Sequence, residues 1–441
     1  MTTSSETAAP ATRVRAPAPR VRASALRKRL PTWAVWMIYA AGGVLLLSLV
    51  ELATDTDGLT SGTTSGAMLR WTVPIMLAGL GGMFSERAGV VNIGLEGMLV
   101  LGMWFGAWGT IELGPWPGLA VGIAGGALGA LAHAVATVTF GVDHIISGVA
   151  ILIAAPGITR FLSLEIFAGM PTGSITQSPG VDGVGKFTMP LLAGGELFGL
   201  DTPDLLGWLR DRQWWYLSDA ADMLRGLTAN LSQMTILAFA LVPLSAWVLW
   251  RTRFGLRLRI CGEHPWAGES QGIDIYRYKY AGVLLSGALA GFGGAFIASP
   301  ELNGIYLEGS TLNRGFIGLA ALIVGNWRPA GVMAGALLFG YPSALGKRDL
   351  DGTSTHALLV VAVIALVLVA FWAWRRRSLI DSGLAAFVAL MAGLWFFTTS
   401  TVPDWWVDIQ PFVIVLAVMV FFSQRLRMPA ADGVAYRKGE T

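Results

Sequence analysis

A polytopic bundle of membrane-spanning helices is the fold class that this sequence predicts, and three observations predict it. Only 13% of the 441 residues are charged and 54% are hydrophobic, whereas a water-soluble domain carries roughly 25% charge. The apolar residues are gathered into runs close to the length that crosses a bilayer core, about 20 residues for a helix. The charges between those runs are sorted by sign. One cysteine excludes a disulfide scaffold or a Cys-built metal site, and 18 Trp with 56 Gly are foreign to a charged, disordered chain.

In chain order, residues 1–32 form a basic tail. Arg13, Arg15, Arg20, Arg22, Arg27, Lys28 and Arg29 stand there against one acid, and Pro and Ala between them give no apolar core for a signal peptide. Spans follow at 33–52, 118–140, 145–163, 230–250, 281–299, 357–374 and 379–398. The stretch 70–110 is interrupted by Ser85, Glu86, Arg87, Ala88 and Gly89, so it reads as two helices or as one helix and a broken one. The stretch 313–346 is interrupted at Asn326, Trp327, Arg328 and Pro329, and its first half of about 13 residues suits a re-entrant helix better than a full crossing. A last span, about 409–423, has Pro411 near its start. The class is therefore all-α, with about 10–12 transmembrane helices.

Cytoplasmic segments collect Lys and Arg. With both interrupted stretches read as hairpins the count is twelve spans, and the amino and carboxyl termini, the loop 251–280 with six bases, and Arg375, Arg376 and Arg377 all fall inside. The loop 164–230, with eight acids and four bases, falls outside. Trp208, Trp214, Trp215 and Tyr216 in it read as interfacial anchors or as a contact for a binding protein. Within 251–280, Pro265 suits the first turn of a short helix, with His264 before it and Gly272 as its stop. Taken alone, this loop is either a solvated basic connection or a lever held between two spans.

The segment GLRLRICGEHPWAGESQGIDIYRYKY resembles the cytoplasmic loop of ABC importer permeases of the branched-chain amino acid, ribose and nucleoside group. MFSERAGVVNIGLEGMLVLGMWFGAW and RGFIGLAALIVGNWRPAGVMAGALLFG are similar to blocks of the nucleoside branch, as is the ending PAADGVAYRKGE. The likeness covers roughly residues 65–346 and 402–440. It implies that the short helix is the coupling helix, with Gly262, Glu263, His264, Pro265, Ala267, Gly272 and Ile273 facing an ATPase. It also implies a division into a core at 33–346, an inserted helical pair at 357–399, a final span at 400–424 and a cytoplasmic tail at 425–441. The pair at 357–399 and the basic N-terminal tail depart from the family pattern; two added helices preserve the sidedness of the later segments.

The implied partners are a cytoplasmic ABC ATPase carrying ATP and Mg, a second related permease subunit, an extracytoplasmic binding protein and the lipid bilayer. No cofactor is expected on this chain, since Gly185-Lys186 and Gly346-Lys347 lack the rest of a phosphate-cradling loop. Neither a metal nor a nucleic acid is expected: four scattered His show no zinc spacing, and the bases flank spans. The chain is expected in the plasma membrane as a transport subunit, not an enzyme.

Six charges lie inside the spans: Glu51, Arg70, Glu96, Arg160, Arg314 and Asp381. Glu96 is the deepest, roughly 10 Å into its helix at 1.5 Å per residue, and Asn92 shares its face. Gly94 and Gly97 let a ligand or another backbone approach. These four residues either line the substrate path, offering Asn and carboxylate groups to the hydroxyls and amides of a nucleoside, or are structural, with Glu96 paired to Arg87 or capping a broken helix. Gly287, Gly291 and Ala295 at four-residue spacing read as close helix packing, His133 as a hydrogen-bonded core residue, and Asp143 with His144 as a helix cap. An ion-coupled carrier using Glu96, and an ABC permease for sugars or branched-chain amino acids, are the alternatives; an intramembrane enzyme ranks below them.

Overall fold

In a bilayer every backbone N–H and C=O must be satisfied within the protein, so apolar stretches become helices. The computed structural model describes residues 32–197, 199–349, 352–422 and 426–439. The basic tail up to Pro31 and the end of the last expected span beyond Phe422 lie outside the described residues. The first helices are α1 (Thr32–Thr54), α2 (Gly62–Arg87), α3 (Leu95–Leu113), α4 (Pro115–Ala134) and α5 (His144–Glu165). A connection with α6 (Leu205–Arg210) and α7 (Leu217–Gly226) leads to α8 (Gln233–Arg251), α9 (Arg253–Glu263), α10 (Pro265–Ser270) and α11 (Ile275–Ala298). Then come α12 (Arg314–Val324), α13 (Pro329–Gly346), α14 (Thr353–Arg375), α15 (Leu379–Thr398) and α16 (Asp404–Phe422). The chain divides at Gly42, and the described part of the first unit is only the start of α1; the packed bundle belongs to the unit from Gly43 onward.

Eight helices among the described residues are long and apolar enough to cross a membrane. Beyond these, α3 and α16 have 19 residues and α13 has 18, while α12 has only 11. The two interrupted stretches are thus each a pair of helices: α2 and α3 are joined by residues 88–94, and α12 and α13 by a turn in which Asn326 and Trp327 take left-handed φ of 54° and 53°. The expected cap forms where Asp143 accepts the N–H groups of Ile145 and Ile146 at 2.8 and 3.0 Å.

The seam Gly287, Gly291 and Ala295 of α11 is where three helices meet closely. A Cβ on Gly102 of α3 or Gly126 of α4 would collide with the Gly291 backbone, and one on Gly106 or Gly122 would stand 2.6 or 2.7 Å from the Ala295 Cβ. Lipid tails give no hydrophobic drive between helices, so association depends on such backbone proximity. Helices α2, α3, α4 and α11 pack together this way, α12 and α13 lie against α2, and α14 and α15 pack chiefly on each other. The connection 166–232 carries two short antiparallel pairs, β1 (Lys186–Phe187) with β4 (Leu231–Ser232), and β2 (Glu196–Leu197) with β3 (Leu200–Asp201).

Candidate functional site

Residues 88–94 are unwound backbone inside a bundle of apolar helices, so the partners of their polar groups must come from elsewhere. The N–H groups of Ala88, Gly89 and Val90 bond back to carbonyls at the end of α2, and four other groups are served by side chains. The Gly89 carbonyl accepts from Lys279 Nζ at 3.1 Å, that of Val90 from Ser85 Oγ at 2.6 Å, and that of Val91 from His133 Nε2 at 3.1 Å. The Val91 N–H donates to His144 Nδ1 at 3.3 Å. A carbonyl only accepts, so His133 carries a proton on Nε2; its Nδ1 lies 2.9 Å from Ser147 Oγ. Replacing His133 by Leu strands the Val91 carbonyl, and a loss of about 1–3 kcal/mol in stability is expected, read as a lowered thermal midpoint of the purified protein in detergent. His133→Gln, which keeps a donor, should recover part of it.

Asn92 is fully buried; its Nδ2 donates to Ser286 Oγ at 2.9 Å, and its Oδ1 has no partner. Gly97 permits the approach of α5, since a Cβ there would stand 2.7 Å from the Ile151 carbonyl oxygen, whereas a Cβ on Gly94 would meet the Gly148 carbonyl oxygen at 3.4 Å, an ordinary contact. Glu96 reaches across to α12. Its Oε2 accepts the Gly315 N–H at 2.6 Å, and Thr311 and the Asn313 backbone also bond to this carboxylate. The N-cap of α12, Asn313, is left-handed at φ 59° and makes no side-chain cap bond, so the cap is supplied by Glu96 from another helix. Its position at the N-terminal, positive end of the half-helix is favourable for an anion. Arg314, also buried, lies over the Trp71 ring with its guanidinium carbon 4.4 Å from the centroid.

Below this, the last two residues of α2 form a junction. Glu86 accepts from the Trp327 indole, and Arg87 donates to the Trp327 carbonyl at 3.0 Å. Arg87 also pairs with Glu263 at 3.4 Å and lies 5.7 Å from the Trp250 ring centroid. Arg87 therefore belongs to Glu263 and the α12–α13 turn, not to Glu96. Gly262 is required next to this pair, because a Cβ there would run into the Arg87 carbonyl.

The short helix is α10, begun by Pro265 and ended by Gly272 at φ 77°. His264 joins α9 to α10 with φ −146° and ψ 75° and makes no side-chain cap bond. His264, Ala267 and Gly272 are exposed, and Ile273 is partly so. A mostly apolar cavity of about 390 Å³ lies here, whose lining includes Leu256, Ile260, Ala267 and Ile273 together with Arg259, Glu263, His264 and Gln271. The structure thus brings Glu263 and Gly262 to the α2 terminus, and gathers Asn92, Gly94, Gly97 and Glu96 separately around the unwound segment. Sequence reasoning misses Lys279, Ser85, His144 and Trp327 as partners. Glu86, Arg87 and Trp327 do carry a signal, since they are the polar breaks in two apolar stretches.

The fold and this junction define a multi-pass membrane permease, the transmembrane part of a transport system. Residues 66–371 match the family described as branched-chain amino acid transport system, permease component, and the chain belongs to that family. It is 32% identical over 388 residues to the guanosine ABC transporter permease protein NupQ of Bacillus subtilis, covering 85% of this chain and 96% of that one. It is 30% identical to the nucleoside ABC transporter permease protein NupC of Lactococcus lactis, with the same shares covered, 85% and 96%. A putative glucose ABC transporter permease, TsgC13 of Haloferax volcanii, is 31% identical over 66% of this chain and 78% of its own length. No solved structure matches the chain.

Proposed function

We propose that this chain is the transmembrane subunit of an ATP-driven ABC importer for nucleosides. It works by alternating access with a cytoplasmic ATPase, a second related permease subunit and an extracytoplasmic binding protein. ATP and Mg are held by the ATPase, and both termini of this chain and the α9–α10 segment face the cytoplasm. The observation that carries the reading is the join of α10 to the broken helix: Glu263, next to α10, grips Arg87, and Arg87 ends the helix that unwinds into residues 88–94. Docking of the ATPase in the apolar cavity beside α10 moves Gly262–Glu263, and the α2 end and the α12–α13 turn follow through Arg87. Residues Asn92, Gly94, Glu96 and Gly97 lie where that movement arrives, and Asn92 Oδ1, a buried acceptor without a donor, meets a nucleoside hydroxyl or amide only once the movement opens the segment.

An ion-coupled carrier is disfavoured because the deep carboxylate it needs, Glu96, is committed to the α12 N-terminus. Nucleoside is preferred to sugar because the guanosine and nucleoside relatives align over 96% of their length and the putative glucose relative over 78%. In a thermal-shift panel of nucleosides, sugars and branched-chain amino acids, the cognate binding protein is expected to be stabilised by nucleosides. A response to sugars alone contradicts the substrate assignment and leaves the transport mechanism intact.

A further inference from the structure

The chain after α16 returns to the junction at the α2 terminus. At residues 426–439 three of its backbone N–H groups donate to two parts of it, the α12–α13 turn and the end of α9. The Arg427 N–H donates to Asn326 Oδ1 at 2.7 Å, the Ala430 N–H to Glu263 Oε2 at 3.2 Å, and the Ala431 N–H to the Gly262 carbonyl at 2.8 Å. Lys279, whose ammonium holds the Gly89 carbonyl of the unwound segment, also donates to the Val434 carbonyl at 3.4 Å. The Asp432 carboxylate is buried between Glu86 and Lys279. Tyr436 is the terminal anchor: its ring centroid lies 6.1 Å from that of Trp266 on α10 and 5.5 Å from that of Tyr276 on α11, and its hydroxyl bonds to Glu269.

A loose polar ending would make none of these contacts. We propose that residues 426–439 are a positioning clasp, which fixes α10 to the α2 terminus and the unwound segment so that movement of α10 reaches residues 88–94. The clasp rests on the importer reading. The physical reason is slack: the Arg87–Glu263 pair is partly exposed on its Glu263 side, and a partly screened pair links its two elements without holding them rigidly. Three backbone bonds and a buried aromatic anchor remove that slack.

The only cysteine reports on the clasp. Cys261 is fully buried, packed with Ile275 and Tyr436, and burial pushes its thiol up to about 11. The experiment uses the full chain with its ATPase in proteoliposomes, with maleimide labelling of Cys261 and nucleoside delivered per ATP hydrolysed as readouts. Tyr436→Ala is expected to raise the labelling rate at least tenfold and to lower delivery per ATP at least tenfold while the ATPase still co-purifies. Tyr436→Phe, which keeps the ring, should stay close to wild type in both. Ala430→Pro removes the N–H that Glu263 accepts without touching the anchor, and should produce the same two changes should Tyr436→Ala not fold. Unchanged labelling overturns the clasp, as does faster labelling with wild-type delivery per ATP. Loss of ATPase co-purification also overturns it, by making the tail a docking surface. A wild-type complex without ATP-driven uptake overturns the importer reading, and is told apart from these because labelling needs no nucleotide.

Discussion

Glu96→Ala is expected to abolish uptake and to deplete the folded protein, the largest effect in this chain. The carboxylate accepts the Gly315 N–H and serves as the only described side-chain cap of α12, whose own N-cap makes no such bond. Removing it leaves buried donors at a helix end without their acceptor. Each unsatisfied group costs about 1–3 kcal/mol, and two or more such groups are a large share of the roughly 5–15 kcal/mol that typically holds a folded protein. The two helices are in close contact here, since a Cβ on Gly315 would lie 2.6 Å from the Glu96 Cα. Glu96→Gln keeps a carbonyl acceptor, so yield and thermal midpoint should be largely restored. The pair of variants also separates two roles. Full uptake by Glu96→Gln makes the residue a cap alone; a folded variant with a raised KM adds a contact with substrate.

Glu263→Arg is expected to cut ATP-driven uptake more than tenfold while leaving yield, insertion and thermal midpoint near wild type. The pair with Arg87 is partly exposed and the Ala430 N–H that Glu263 also accepts is at the surface, so losing both costs the fold only about 1–2 kcal/mol. The charge reversal instead places two guanidinium groups at the joint between α9–α10 and α2, and repulsion separates the elements that must move together. Restoring opposite charge in the double variant Arg87→Glu with Glu263→Arg should recover a measurable part of uptake, although Arg87 also donates to the Trp327 carbonyl, which a carboxylate cannot do. Gly272→Ala is expected to act in the same direction but more weakly, because it strains a left-handed stop at φ 77° without moving the ion pair.

Much of this architecture is legible in the sequence because hydrocarbon imposes a simple rule. Length and apolarity locate α1, α5, α8, α11, α14 and α15, and Pro265 and Gly272 bracket α10. The breaks at 85–89 and 326–329 are visible as polar residues in apolar runs, and so is the packing seam of Gly287, Gly291 and Ala295. The groups that satisfy the breaks are not legible. Val91 is served by His133 and His144, 42 and 53 positions away, and Gly89 by Lys279, 190 positions away. No local periodicity encodes such pairs. In the sequence Lys279 is one of six bases in the loop 251–280, and the tail is a family ending rather than a structural element. Glu96 marks the limit: its depth can be counted, but the cap on α12 and the pairing with Arg87 are told apart only once Gly315 and Glu263 are placed in space.

The most direct measurement is uptake of radiolabelled nucleoside into proteoliposomes that hold this chain, its partner permease and the ATPase, with binding protein supplied on the outer side and ATP or a pH gradient as the only energy source. Uptake that needs ATP and binding protein, is indifferent to the pH gradient, and falls more than tenfold in Glu263→Arg is the result predicted by a path opened through α10 and the α2 terminus. Uptake driven by a pH gradient without ATP would contradict it.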